Sequence, residues 1–472
     1  MKHCYAIFYF FLFSTYFYAQ NDTIFKIFDK MCLSLQVEKS KRPKLEIRNT
    51  TSSGASYSKL NHTIYIDQKL IDAFDQFRQQ KSLALAFVIG HELSHALEKD
   101  KHDTHFLAYD RAQGATYQNE QNADIQGAFI AYISGYNVLP NISETIEALY
   151  TQYHLLPQLK GYPDKADRIE SIGLVREQVE SLITLFKSSN LLLIDEEYGL
   201  AASIFKHIDQ YYPSPEISSN IAVAQILEAI NLGKYNYFRY TLPIEVNWEL
   251  RLKKPGLDPG QKDFEPEIIR HRELLLKKSD ILLKESIALY PSSFSLWNNL
   301  ICLKLLLNDL SAAMSIYKSA ATKFKGKYEK EQLQVLSGIL YLMQGKEAEA
   351  MQKFKEVQSP WLNTIIRENM NHSQERPALQ PCTPETVSIP AGKNSLLQEK
   401  KISLDTITIA WTKERIKIHT PSKFINFQII QLKSPINCMP GKSLDQNGIK
   451  WSSSLLSIFS PTERKSTFYS VN

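Results

Sequence analysis

Apolar positions along the chain change their period several times. From Ser82 to Lys99 they recur densely, at Leu83, Leu85, Phe87, Val88, Ile89, Leu93 and Leu97, with no proline and one glycine. That pattern predicts a buried helix whose most apolar half comes first. A second helix is predicted over Tyr117–Asn137, with Ala123, Ile125, Ala128, Phe129, Ala131, Tyr132 and Ile133 on its buried side. After about residue 185 the pattern becomes one of repeated helix pairs. The recurring positions are Ala201, Phe205 and Pro213, then Ser279, Leu283, Ser286 and Pro291. Trp297, Leu300, Ala313, Tyr317 and Ala320 follow, and then Gly338, Tyr341, Ala350 and Phe354. Small residues at such points let neighbouring helices approach and aromatics fill the gaps, so they read as core positions. Arg251–Pro266 is a loop rich in proline, glycine and charge. Beyond a polar, proline-rich stretch at Asn371–Glu385, the segments KISLDTITIAW, RIKIH and NFQIIQL alternate at period two and are predicted strands.

Composition narrows the class. The chain has 472 residues, 43% hydrophobic and 22% charged, which fits a folded protein of two to four domains. The net charge of +5 is too small over this length to argue for nucleic acid. The local excess of +7 over residues 391–472 reads as a solvated surface. At the N-terminus Lys2 and His3 precede an apolar run from Cys4 to Ala19, as in an export signal. Cleavage after Ala19 would leave Gln20 first. Phe17 departs from the small residue usual three places before a cleavage site, which keeps an uncleaved anchor open. No other apolar run reaches the length of about 18 residues that a membrane span needs, so none is expected in the mature chain. Cys4 would leave with the signal. Cys32, Cys302, Cys382 and Cys438 form no C-x-x-C pair, so a cysteine zinc site is not expected, and an exported chain would permit a Cys382–Cys438 disulfide.

The first helix carries His91-Glu92-Leu93-Ser94-His95. Residues four apart lie about 40° apart around a helix, so both imidazoles point the same way and each can offer a nitrogen to Zn²⁺. Glu92 lies about 100° round from His91 and suits a general base beside the attacking water. Catalytic zinc needs a third protein ligand. A continuation as His-x-x-Gly-x-x-His fails, because Glu98 stands where glycine is needed and Lys101 where histidine is needed. His102 and His105 lack the spacing and read as loop histidines. The second helix offers Glu120 and Asp124, again four apart on one face. Glu120 would be the third ligand. Asp124 would accept the second ring N–H of a zinc histidine and fix its tautomer.

With "GHELSHAL" and "EQNADIQG" in place, the chain resembles the HtpX/CAAX-protease-like gluzincin zinc metallopeptidases, and within them the exported BepA-like members with tetratricopeptide repeats. Ala55–Phe74 resembles that family's edge strand, turn and helix start. Gly161–Ile172 resembles its His-Pro…Arg-Ile motif, with Pro163, Arg168 and Ile169 matching and Tyr162 where many members have His. Tyr162 then either hydrogen-bonds the transition-state oxyanion or packs at a turn. The resemblance implies that the Ala55–Lys59 strand pairs with an extended substrate.

The sequence therefore predicts a mainly α protein. Residues 1–19 are a signal peptide and 20–185 a gluzincin metallopeptidase domain, of helices with a small edge β-sheet. Residues 186–370 are a tetratricopeptide-like (TPR-like) α-solenoid, 371–386 a linker and 387–472 a β-rich region whose last twenty residues are expected to be loose. The expected function is a zinc endopeptidase of the cell envelope, with one Zn²⁺ per chain, acting on misfolded or unassembled proteins. The metal ligands are His91, His95 and Glu120. Glu92 is catalytic, with Tyr162 as a further catalytic candidate, Asp124 supports the metal histidine and Arg168 is a structural motif residue. The alternative is a repeat-based binding protein or chaperone with a latent or silent zinc site. Its partner would be a protein held in the solenoid groove, with no nucleic acid.

Overall fold

The computed structural model describes residues 23–471 apart from 36, 38, 50–53, 98–103, 107–116, 154–164, 233–237, 239, 245–265, 371–399, 405, 412–414, 422–423, 432–453 and 461–464. The described residues are mainly helical, with two sheets. The chain divides into two units, Met1–Ile183 and Thr184–Asn472. Among the described residues no helix is long and apolar enough to cross a membrane. The expected signal, the linker at 371–386, Cys382 and Cys438 all lie outside the described residues. Cys32 and Cys302 are buried free thiols.

The first unit begins with α1, residues 23–34, which buries Ile24, Ile27, Phe28 and Met31 at helical spacing. Four strands follow in the spatial order β1-β3-β2-β4. β1 (Lys44–Arg48) runs parallel to β3 (Thr63–Asp67), while β2 (Ala55–Ser58) is antiparallel to β3. Asp67 ends β3 and caps α2 (Gln68–Ala73). Its buried carboxylate accepts from Lys69 N at 3.2 Å and from Tyr153 Oη at 3.0 Å. Such a cap is worth about 1 kcal/mol, and here it ties the sheet to the turn after α5 (Ile142–Gln152). α3 (Lys81–Leu97) is buried without interruption from Ala84 to His95 and packs along α4 (Tyr117–Ile133).

Two expectations need correction here. β2 is not an edge strand, because β4 (Thr104–Phe106) pairs with it antiparallel, Ala55 opposite Phe106 and Tyr57 opposite Thr104. The chain leaving α3 turns back onto the sheet and takes up the backbone groups that were read as open to a substrate. His105 accordingly belongs to a strand and not to a loop. The boundary between the two units falls at Ile183 and Thr184, within α6 (Lys165–Ile194).

The second unit contains α7 (Tyr198–Tyr211), α8 (Pro215–Asn231), α9 (Pro266–Leu289), α10 (Phe294–Leu306), α11 (Leu310–Lys323), α12 (Lys327–Met343), α13 (Glu347–Phe354) and α14 (Pro360–Met370). Helices α8 and α9, α10 and α11, and α12 and α13 form pairs. The first helices of the pairs, α8, α10 and α12, touch in succession and continue to α14 in one row. The repeat positions occupy these contacts. Ala313, Ala320 and Ala350 are fully buried, and a Cβ on Gly338 would stand 2.2 Å from the Phe354 ring. Glycine is needed at that crossing because the aromatic occupies the space of its missing side chain.

The C-terminal sheet is a six-stranded antiparallel meander, with its strands neighbouring one another in sequence order. β5 (Lys400–Leu404), β6 (Ile407–Trp411), β7 (Arg415–His419) and β8 (Phe424–Gln431) fall on the period-two segments. β9 (Ser454–Ser460) and β10 (Lys465–Val471) correct the expectation of a loose end. Each finds a partner strand, and that pairing is invisible in one segment read alone.

Glu216 stands in the first turn of α8 with both carboxylate oxygens buried, and burial pushes its pKa from the usual 4.5 up to about 7. The folded chain therefore binds the extra proton between those values, and stability falls as pH rises from about 4.5 to about 7. Glu216→Gln should be increasingly stabilising across that window relative to wild type, by about 2–3 kcal/mol at its upper end. Thermal unfolding of both proteins from pH 4.5 to 8 checks this. A difference that does not change with pH would count against the burial of that charge.

Candidate metal centre

The geometry starts from one helix crossing. Where α3 passes α4, Gly90 faces Gly127. A Cβ on Gly90 would lie 2.3 Å from Gly127 O, and one on Gly127 would lie 2.4 Å from His91 N. No other residue type allows that approach without moving the helices. Ser94 Oγ donates to Gln126 Oε1 at 3.0 Å across the same interface. The close crossing brings the histidine face of α3 against the acidic face of α4.

His91 and His95 sit one turn apart, with ring centroids 4.8 Å apart and their Nε2 atoms 3.1 Å apart. From α4, Glu120 Oε2 stands 3.4 Å from His91 Nε2, and Glu120 Oε1 stands 3.7 Å from His95 Nε2. On the other side of the His91 ring, Nδ1 meets Asp124 Oδ1 at 2.8 Å. All four side chains are buried, as is Glu92. When His91 donates Nδ1–H to Asp124, its Nε2 lone pair is turned towards His95 and Glu120.

The group is compact enough to hold one metal ion, its ligand atoms all lying within 4.8 Å of one another. Zinc bonds of about 2.0–2.1 Å at tetrahedral angles place neighbouring donor atoms about 3.4 Å apart. The imidazole nitrogens at 3.1 Å and the Glu120 Oε2–His91 Nε2 pair at 3.4 Å lie near that value, while His95 Nε2 meets the other Glu120 oxygen at 3.7 Å. His91, His95 and Glu120 are also the one group of three among the described residues that brings its ligand atoms together in this way. The electrostatics agree with a cation. Burial alone would depress the His91 pKa, but hydrogen bonds and charge from Asp124 and Glu120 reverse the effect and raise it to about 9. Glu120 and Asp124 set two buried carboxylates against His91, which calls for positive charge in return. Two imidazoles and a carboxylate are a donor set that zinc accepts, leaving a fourth position open.

The structure brings together His91, His95, Glu120 and Asp124 and buries Glu92 on the same helix. Tyr162 and His102 lie outside the described residues. Arg168 lies in α6, where only the backbone is described. The Gly90–Gly127 contact was missed from sequence. Gly127 stands in the motif EQNADIQG, three residues after Asp124, and that small residue beside the acidic pair was the available signal.

No family model matches the chain, and no curated protein matches it. A solved structure of a tetratricopeptide repeat protein from Parabacteroides merdae is similar to part of it, at 16% identity. The similarity covers 64% of this chain and 98% of that one, with a TM-score of 0.27, and a likeness that low adds no argument about fold or function.

Two outcomes follow from the geometry. Glu120→Ala should remove most bound zinc, measured by metal analysis after dialysis, while His102→Ala and His105→Ala should keep it. Equal loss in all three would rule out the two-helix site. Gly127→Ala touches no ligand, yet should lower both zinc content and stability, the latter by about 3 kcal/mol or more, because a methyl group forces the helices apart. Full zinc loading and an unchanged melting temperature would show that the crossing does not set the site.

Proposed function

We propose that the chain is a zinc-dependent endopeptidase, exported to the cell envelope, that hydrolyses peptide bonds of misfolded or unassembled proteins. The observation behind this reading is the buried cluster of His91 Nε2, His95 Nε2 and the two oxygens of the Glu120 carboxylate, with Glu92 one residue from the first histidine. His91, His95 and Glu120 would hold the ion, which when bound supplies Lewis acidity to a peptide carbonyl and to a water molecule. Asp124 keeps His91 in the tautomer that offers Nε2. Glu92 takes the proton of the attacking water and returns it to the leaving amine. A structural zinc site would have no use for that carboxylate, which separates this reading from a purely structural metal. Export is inferred from the apolar run between Cys4 and Ala19.

A second reading, a repeat-based binding protein with a silent metal site, is favoured by the row of first helices α8, α10, α12 and α14, whose facing side chains include buried amides. The two readings differ in what Glu92 does. Glu92→Gln is nearly isosteric and removes a base while leaving every ligand in place, so it should keep its zinc and its melting temperature while casein turnover falls by a factor of about 100 or more. Unchanged turnover in this variant would remove Glu92 from the chemistry, and absence of turnover in the zinc-loaded wild type would favour the binding reading.

A further inference from the structure

The connection between α8 and α9 returns across the row formed by α10, α12 and α14. Its described part, Phe238 and Tyr240–Ile244, has no helix or strand of its own. Its apolar residues alternate. Phe238, Tyr240 and Leu242 pack against the hydrophobic cluster of the repeats, and Ile244 is buried within it. Thr241 and Pro243 between them are held through their backbone by one side-chain amide from each of α10, α12 and α14.

Asn369 on α14 engages Thr241 with both halves of its amide. Thr241 N donates to Oδ1 at 2.7 Å, and Nδ2 donates to Thr241 O at 2.8 Å. Two residues on, the contact is only half made. Asn298 Nδ2 on α10 and Gln332 Nε2 on α12 both donate to Pro243 O, at 2.8 and 3.3 Å. Their acceptor atoms, Asn298 Oδ1 and Gln332 Oε1, are buried and have no hydrogen-bond partner among the described residues. The reason lies in the occupant, because proline has no N–H to give. Asn298 and Gln332 stand one 34-residue repeat apart, at equivalent places on successive first helices. An amide that reads backbone at each repeat is a device for any extended chain, because it consults no side chain.

We propose that this row is a groove for an extended polypeptide with apolar side chains at alternate positions, the pattern of an unpaired β-strand, and that residues 238–244 are a resident pseudo-ligand. Pro243 makes the resident weak. A foreign strand with an N–H at that place can give it to Asn298 Oδ1, as Thr241 gives its own to Asn369 Oδ1, and so displace the resident. The zinc site plays no part in this inference.

Two fluorescent peptides test it by anisotropy against the full chain, one copying residues 237–246 and one copying them with alanine at the proline. Thr241→Pro should loosen the resident and Pro243→Ala should tighten it. The alanine peptide should bind the Thr241→Pro chain about tenfold more tightly than wild type, and about tenfold more tightly than the proline peptide does, the weight of one hydrogen bond. Adding Asn298→Ala to the Thr241→Pro chain should abolish that preference between peptides. In Pro243→Ala, hydrogen exchange should find the new amide protected, a readout that does not require Thr241→Pro to fold. Equal affinity of the two peptides, or an unprotected amide in Pro243→Ala, overturns the proposal. So does dimerisation of the Thr241→Pro chain by exchange of the segment in place of peptide capture.

Discussion

The contact between Gly90 and Gly127 is the constraint on which the candidate metal centre depends. Two helices approach until the backbone of one fills the space where a side chain of the other would stand. Zinc coordination leaves donor atoms a tolerance of a few tenths of an ångström, and long side chains on separated helices cannot hold that. Here the ligands need not reach. The backbone crossing sets their separation, and Asp124 then fixes the remaining rotation of one ring.

The arrangement is expensive in water-free surroundings. Glu120 is buried against both histidines, Asp124 is buried against His91, and Glu92 is buried on the same helix as the histidines. Burial alone would drive the proton off His91, but hydrogen bonds and charge from Asp124 and Glu120 raise its pKa against that tendency. A dication resolves the imbalance in one step, because it gives the acids a counter-charge and the imidazoles a use for their lone pairs.

The second unit meets a similar problem with neutral groups. Its helix pairs leave buried amides in a row, and an extended stretch of the same chain covers them. Full pairing at Thr241 beside half pairing at Pro243 shows one groove with two qualities of fit. Buried acceptors that lack a donor each cost about 1–3 kcal/mol, so the covered groove is tolerated by the fold and is not at its optimum.

Much of this was legible in the chain. The dense apolar run around His91, the four-residue spacing of Glu120 and Asp124, the small-and-aromatic positions of the repeats and the period-two strands from Lys400 to Gln431 are local signals. Local hydrogen-bond geometry and one-sided burial are enough to specify such elements. Periodicity says which face of an element is buried and is silent about what lies against it. Hence Ala55–Ser58 read as an open edge until β4 was seen to pair with it, and the last two strands were missed. The same limit hid the crossing at Gly90 and Gly127 and the segment lying across Asn298, Gln332 and Asn369. Those contacts join residues 37 to 128 positions apart, so they depend on how whole helices pack, and only the tertiary structure decided them.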